Sequence, residues 1–319
     1  MFQSHRLGRR AVAALLLTPF ISGAFAAHAA DGIDQPAKIL RPNPEFTAAT
    51  RPEQTLTFIQ VESEVVYCGP SSLYCDASVQ CPAGLVAWGG GLSAFRSKLV
   101  GSWPTDSRTW SATFQPARLE FGDDVTGVAN AFVNCAPAPA GYEIVAGDMS
   151  ECVIDGPSCS TTVECPSGKT ALSGGVDGIE SHFESVRPIN ATTWSISWFP
   201  DDESLGPSSL GRARPYVVCA DAPPEGFEIR NSAPEQCAPG ESCYASAHCS
   251  TGLASFAGGI WGGESKIEGM RTDRSAAGGS WYPATTEFGP SAAGSAMALT
   301  VCAAGVTILD DLFLDGFEP

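Results

Sequence analysis

Histidine, methionine and basic side chains are all scarce in this sequence. Its 319 residues hold four histidines and four methionines, and 18 lysines and arginines stand against 35 acids. The resulting net charge of −17 repels polyanions, which disfavours DNA, RNA and anionic membrane surfaces as partners. Metal cations and neutral ligands stay open. Long apolar runs are missing too: beyond the first 30 residues none approaches the ~20 residues that span a bilayer. No Gly-x-Ser-x-Gly elbow and no His-Glu-x-x-His helix occurs. Outside the first 30 residues only His182 and His248 remain. They hold different places in the repeat described below, so they read as solvent-exposed strand residues rather than a catalytic pair.

What the sequence does have begins with an export signal. Arg6, Arg9 and Arg10 precede an apolar stretch from Ala11 to Ala27, and Ala27-His28-Ala29 offers the small residues a signal peptidase reads. Residues 1–30 are therefore expected to be removed on Sec-type export, which would take away three arginines and no acid. The expected location is extracellular or on the cell surface, with the periplasm as the alternative. All 12 cysteines lie beyond this segment, and an even count in an exported chain predicts disulfides.

The cysteines form three sets of four: Cys68, Cys75, Cys81, Cys135; Cys152, Cys159, Cys165, Cys219; and Cys237, Cys243, Cys249, Cys302. The third cysteines of successive sets are 84 residues apart, and a fixed period marks a repeat architecture. Glycines keep step with them at Gly84, Gly168 and Gly252, and as the pairs Gly90-Gly91, Gly174-Gly175 and Gly258-Gly259. A tryptophan follows in each set, at Trp110, Trp194 and Trp281. Short strand-like runs between glycine and proline turns predict an all-β fold, built as a sandwich, barrel or prism. Glycine pairs inside strands mark a bulge, a bend or a close backbone approach.

Ala136-Pro137-Ala138-Pro139 and Ala222-Pro223-Pro224-Glu225 separate the copies. Proline stiffens such joints, which favours three small disulfide-stapled units in a row; one body of pseudo-threefold symmetry is the alternative. The expected divisions are a signal peptide (1–30), a flexible leader (31–53), repeats at 54–138, 139–222 and 223–305, and a tail (306–319). Four cysteines allow three pairings per copy. First-to-second and third-to-fourth is favoured: Cys68–Cys75, Cys81–Cys135, Cys152–Cys159, Cys165–Cys219, Cys237–Cys243 and Cys249–Cys302. A bond closing a loop of ~55 residues should contribute roughly 4 kcal/mol in the chain-entropy picture.

The order Cys81-Pro82-Ala83-Gly84, Gly89-Gly90-Gly91, Ser102-Trp103-Pro104, Trp110 and Val133-Asn134-Cys135 resembles a unit of uncharacterised exported bacterial repeat proteins. The second copy matches it at Cys165-Pro166-Ser167-Gly168, Gly174-Gly175, Ser185-Val186-Arg187-Pro188 and Trp194. The third departs, with Ser250 in place of the proline and no Ser-x-Pro turn before Trp281. The resemblance implies the third-to-fourth disulfide and carries no activity. The C-terminal Asp315-Gly316-Phe317-Glu318 resembles a tail of exported bacterial proteins, which implies a sorting tag; a final edge strand is the alternative.

Few residues offer chemistry. Cysteine spacing and export argue against thiolate metal sites. Asp123, Asp124, Asp201 and Asp202 fall in corresponding loops and are the candidates for calcium; without it no cofactor is expected, and a solvated acidic loop is the plainer reading. The recurring tryptophans read as core. Trp103, Trp198 and Trp261, which do not recur, are candidates to stack on a sugar or anchor a partner. The reading is a non-catalytic secreted or surface protein that binds a glycan or a protein. The alternatives are a secreted hydrolase using loop carboxylates and a purely structural surface protein.

Overall fold

The strands that follow the cysteine repeat pair across copies as well as within them. The computed structural model describes residues 56–153, 158–201 and 210–309. The expected signal segment (1–30) and leader (31–53), Asp202 and residues 310–319 lie outside the described residues, whereas residues 306–309 of the expected tail belong to the last strand. Copy one supplies β1 (Leu56–Glu62), β2 (Val66–Cys68), β3 (Cys75–Gln80), β4 (Val86–Phe95), β5 (Ser97–Pro104), β6 (Thr109–Pro116) and β7 (Gly127–Ala136). Copy two supplies β8 (Glu143–Ala146), β9 (Ser150–Val153), β10 (Cys159–Glu164), β11 (Thr170–Ile179), β12 (Ser181–Pro188), β13 (Thr193–Pro200) and β14 (Leu210–Ala220). Copy three supplies β15 (Glu228–Asn231), β16 (Glu235–Cys237), β17 (Cys243–His248), β18 (Leu253–Gly263), β19 (Ser265–Asp273), β20 (Ala276–Pro283) and β21 (Gly294–Leu309). The helices among the described residues are two single turns, α1 (Arg118–Phe121) and α2 (Thr285–Phe288). The fold is all-β.

Each copy divides its strands between two groups. In copy one β4 pairs with β7, and β7 with β1 and β2; separately, β3 pairs with β6 and β6 with β5. The second group of one copy then joins the first group of another. Ser102 of β5 faces Val176 of β11, Val186 of β12 faces Ile260 of β18, and Met270 of β19 faces Leu92 of β4. On each side of these bridges successive residues are 84 apart, so one joint is used three times and the third use returns to copy one. The last residues of β21 also run parallel to β1, from Leu56 opposite Gly305, which unites two of the shared faces in a 14-stranded sheet beside a seven-stranded one. This corrects the expected row of separate units: the prolines end strands, but the copies share sheets. All described residues belong to one compact unit, Ala37–Pro319.

The chain crosses between groups through one residue. Arg96, Glu180 and Glu264 link β4 to β5, β11 to β12 and β18 to β19, at φ of 53°, 55° and 54°. This left-handed backbone is unfavourable for a residue with a side chain, so neighbouring contacts must hold it. Ser181 Oγ donates to the Ile179 and Arg212 carbonyls at 3.0 Å each, and Ser97 Oγ donates to Phe95 O at 3.1 Å. Two corners are also gripped by another copy. The Glu264 N–H donates to Glu184 Oε1 at 3.1 Å, and the Arg96 N–H donates to Glu268 Oε1. Glu184 and Glu268 are bulge residues of β12 and β19, the extra residue that re-aims a side chain.

The glycine pairs have two distinct uses. A Cβ on Gly90 or Gly174 would collide with the indole of Trp110 or Trp194. A Cβ on Gly91, Gly175 or Gly259 would strike the carbonyl of Met270, Ser102 or Val186, the backbone of the adjoining copy. The first glycine therefore admits a core tryptophan and the second admits the neighbouring strand. Trp281 proves not to be the third member of the tryptophan series. It faces Cys243, as Trp198 faces Cys159 and Phe114 faces Cys75; Ala277 takes the place of Trp110 and Trp194. A second set of bulges at Trp88, Leu172 and Phe256 points into the core, where Trp88, Phe256 and Phe58 of β1 meet with ring centroids 5.3–5.5 Å apart.

Six disulfides join first to second and third to fourth cysteine in every copy: Cys68–Cys75, Cys81–Cys135, Cys152–Cys159, Cys165–Cys219, Cys237–Cys243 and Cys249–Cys302. The short bond fastens the copy's two strand groups to each other, as Cys68–Cys75 does between β2 and β3. The long bond ties the entrance of the glycine-rich strand to the closing strand.

Candidate functional site

Two places concentrate polar side chains: a sealed ionic cluster and an open face at one joint between copies. The cluster grows from the second residue of β5, β12 and β19. These are Lys98, His182 and Lys266, again 84 apart, and none is more than 1% exposed. Lys98 Nζ lies 2.8 Å from Asp201 Oδ1, and Gln115 Nε2 donates to Asp201 Oδ2. Lys266 Nζ lies 2.9 Å from Glu120 Oε1 on α1 and 3.0 Å from Glu287 Oε1 on α2. His182 Nε2 approaches the same Glu287 oxygen at 3.3 Å, without hydrogen-bond alignment, and its ring stacks on Phe199.

Burial, with the Lys266 ammonium close by, pushes the His182 imidazole down to about 3, so it is neutral. Burial works against a charged Asp201, but the Lys98 ammonium overrides it and holds the carboxyl below the ordinary carboxylate range. Burial likewise opposes the Lys266 charge, and Glu120 and Glu287 override it upward. Each ion pair except Lys266–Glu287 crosses copies, so the cluster binds the three together. Its enclosure suits structure rather than turnover.

Sequence reasoning placed several of these residues differently. His182 is buried, not an exposed strand residue, because β12 turns it inward beneath α2; His248 is exposed. Asp201 is a buried ion-pair partner rather than a solvated loop acid. Asp123 and Asp124 are exposed in the turn after α1. Among the described residues no group of three or more His, Cys, Asp or Glu converges as metal ligands. Trp198 is in the core at 1% exposure, while Trp103 and Trp261 are half-buried. The period itself could have found the cluster, since Lys98, His182 and Lys266 keep it; three basic residues at one offset of an otherwise acid-rich chain were the signal.

Trp103 and Trp261 mark the second place. Each sits on the outer face of a joint. Trp103 folds over Gly101 beside β11 at the first-to-second joint. At the second-to-third joint Trp261 lies beneath the Arg187 guanidinium, 5.0 Å from the indole centroid. Register puts Arg271 at the place of Trp103 and Ser93 at the place of Trp261 in the third-to-first joint. No tryptophan closes that joint, and a cavity of ≈ 490 Å³ opens there, lined by Ser93, Tyr244, Gly269, Arg271, Asp273 and Ser280 among others. Arg271 reaches Glu62 at 3.4 Å, and Glu62 also accepts from Asn130 Nδ2 at 2.9 Å.

Among the described residues no helix is long and apolar enough to cross a membrane. Compared with protein-family models and with curated proteins, the chain matches none.

Proposed function

We propose that this is an exported, non-catalytic binding protein that engages its ligand on the outer face of the joint between copies three and one. The observation that carries the reading is the contrast among the three joints. Two have their outer faces covered by Trp103 or by Trp261 with Arg187, and the third is open over a cavity of ≈ 490 Å³. Small-ligand sites are concave, with few polar groups converging on them. The ionic cluster and the disulfides make a stiff frame, which suits binding because little ordering remains to be done when the ligand arrives.

Closing the face tests this reading. Ser93→Trp places an indole where Trp261 already sits in the second-to-third joint, so the variant should fold with an unchanged melting temperature. Pull-down of cell-wall material and of surface proteins by the wild-type chain, lost with Ser93→Trp, is the expected outcome. Equal capture by both forms would remove the joint as the site. Turnover of a polysaccharide or peptide substrate, abolished by Asp123→Ala with Asp124→Ala at the exposed turn after α1, would favour the hydrolase alternative.

A further inference from the structure

We infer that the open joint holds a short linear oligosaccharide of uncharged sugar units, with one ring stacked on Tyr244 and the chain running across the strands toward Asn130. This rests on the binding reading above and adds the ligand's chemistry. The first support is the posture of Tyr244. It is 57% exposed, and a Cβ on Gly278 would collide with its hydroxyl, so the ring lies down across the sheet and turns a face to solvent. A flat aromatic face exposed to water is what the C–H side of a pyranose covers, and an aromatic ring gives up little conformational freedom in doing so.

The second support is that three substitutions coincide at this joint. The place of Tyr244 is taken by Asp76 and Ser160 in the other copies, and the place of Gly278 by Ser111 and Ser195. The place of Ser93 is taken by Asp177 and Trp261. The platform, the glycine that lets it lie flat, and the missing lid occur together, and only here among the joints.

The third support is the row that continues from the platform. Tyr244 faces Ser280, Ser280 faces Gly269, and across the joint Ser93 faces Asn130. An aromatic face is followed by hydroxyl, glycine, hydroxyl and amide, each on the next strand. Five strands at about 4.8 Å spacing give a path of roughly 19 Å, longer than a single sugar ring. Asp273 and the Arg271–Glu62 pair edge the path with donors and acceptors for hydroxyl groups. Their formal charges sum to −1, and with the chain's net charge of −17 this opposes a polyanionic glycan, which leaves uncharged sugars.

The test is calorimetric titration of the oxidised chain with cellulose-, chitin- and amylose-derived oligosaccharides of one to six units, beside the protein capture described above. The expected result is affinity in one series that rises with length and then levels off. Tyr244→Ala should weaken it roughly tenfold, about 1.4 kcal/mol, and Ser93→Trp should abolish it. Tyr67→Ala, on the apolar row that exposed Tyr67 and Phe95 form by register with half-buried Val128, should leave it unchanged. No oligosaccharide binding, with capture of a surface protein that depends on Ser93, would overturn the sugar inference and leave the binding reading standing. Sugar binding that ignores both Tyr244→Ala and Ser93→Trp would overturn both.

Discussion

Lys98 and Asp201 belong to different copies and meet where water is excluded. Replacing one member of such a pair strands the other's charge, whereas replacing both removes the need for compensation. Lys98→Met should therefore destabilise the chain by about 3–5 kcal/mol in urea unfolding, and adding Asp201→Leu should recover most of the loss. If the double variant is as unstable as the single one, the pair is not what holds these copies together. His182 contributes a pH dependence whose sign is fixed by its depressed value. Folded, it stays neutral down to about 3; unfolded, it takes a proton near 6.5. Between those values the unfolded chain binds more protons, so stability falls as pH drops through that window and is fully present above it. Asp201, also depressed, adds to the loss at the acid end. His182→Phe should flatten the fall of melting temperature between about pH 6 and pH 4; an unchanged slope would assign the acid sensitivity elsewhere. The shared period of Lys98, His182 and Lys266 pointed to the cluster, but the burial of these residues was not legible in the sequence. Burial at these positions follows from a left-handed corner one residue before the strand, and Arg96, Glu180 and Glu264 carry no sequence mark of positive φ.

Among the elements, the glycine-rich strands show where sequence reading reached and where it stopped. The period located the strands and the cysteine pairs, because each depends on spacing along one chain; the bulges fall at Trp88, Leu172 and Phe256 rather than at the glycine pairs. It misplaced Trp281, since β20 shifts its tryptophan by four residues relative to Trp110 and Trp194 while keeping the pairing register with β17. It could not tell that Gly91, Gly175 and Gly259 are the points of contact between copies, because a glycine required by a neighbour looks like a glycine required by a turn. Gly175→Val would drive a side chain into the Ser102 carbonyl of β5. Overpacking of that kind should lower stability by about 1–3 kcal/mol, with amide exchange accelerated in both β5 and β11. Gly69→Ala, with open space around it, is the matched control and should be nearly silent. The long disulfides act on the same strands from within a copy. Removing Cys165–Cys219 by paired alanines should reduce stability by roughly 4 kcal/mol if the 54-residue separation acts through the unfolded chain. A loss below about 1 kcal/mol would mean that the bond does not act chiefly by restricting the unfolded chain.

At the scale of the whole molecule, the copies that repeat in sequence share sheets and are not expected to stand alone. Copy two shows why. Its β11 needs β5 of copy one and its β12 needs β18 of copy three. Excision would leave both strands with unpaired backbone edges, which water or aggregation must then satisfy. The same cut deprives Asp201 of Lys98 and His182 of Glu287. It also removes the backbone that fills the space beside Gly175 and Gly178. Against these losses the fragment retains two disulfides and a core of about 84 residues, a size at which burial alone gives a thin margin. Residues 139–222, produced and oxidised alone, should therefore show collapsed amide dispersion by NMR and no cooperative thermal transition, while the chain from residue 54 onward melts as a single event. A fragment that melts cooperatively with dispersed amides would show that the copies fold first and associate afterwards. The shared joints, including the open one with Tyr244, would then be docking surfaces between finished domains rather than parts of one sheet system.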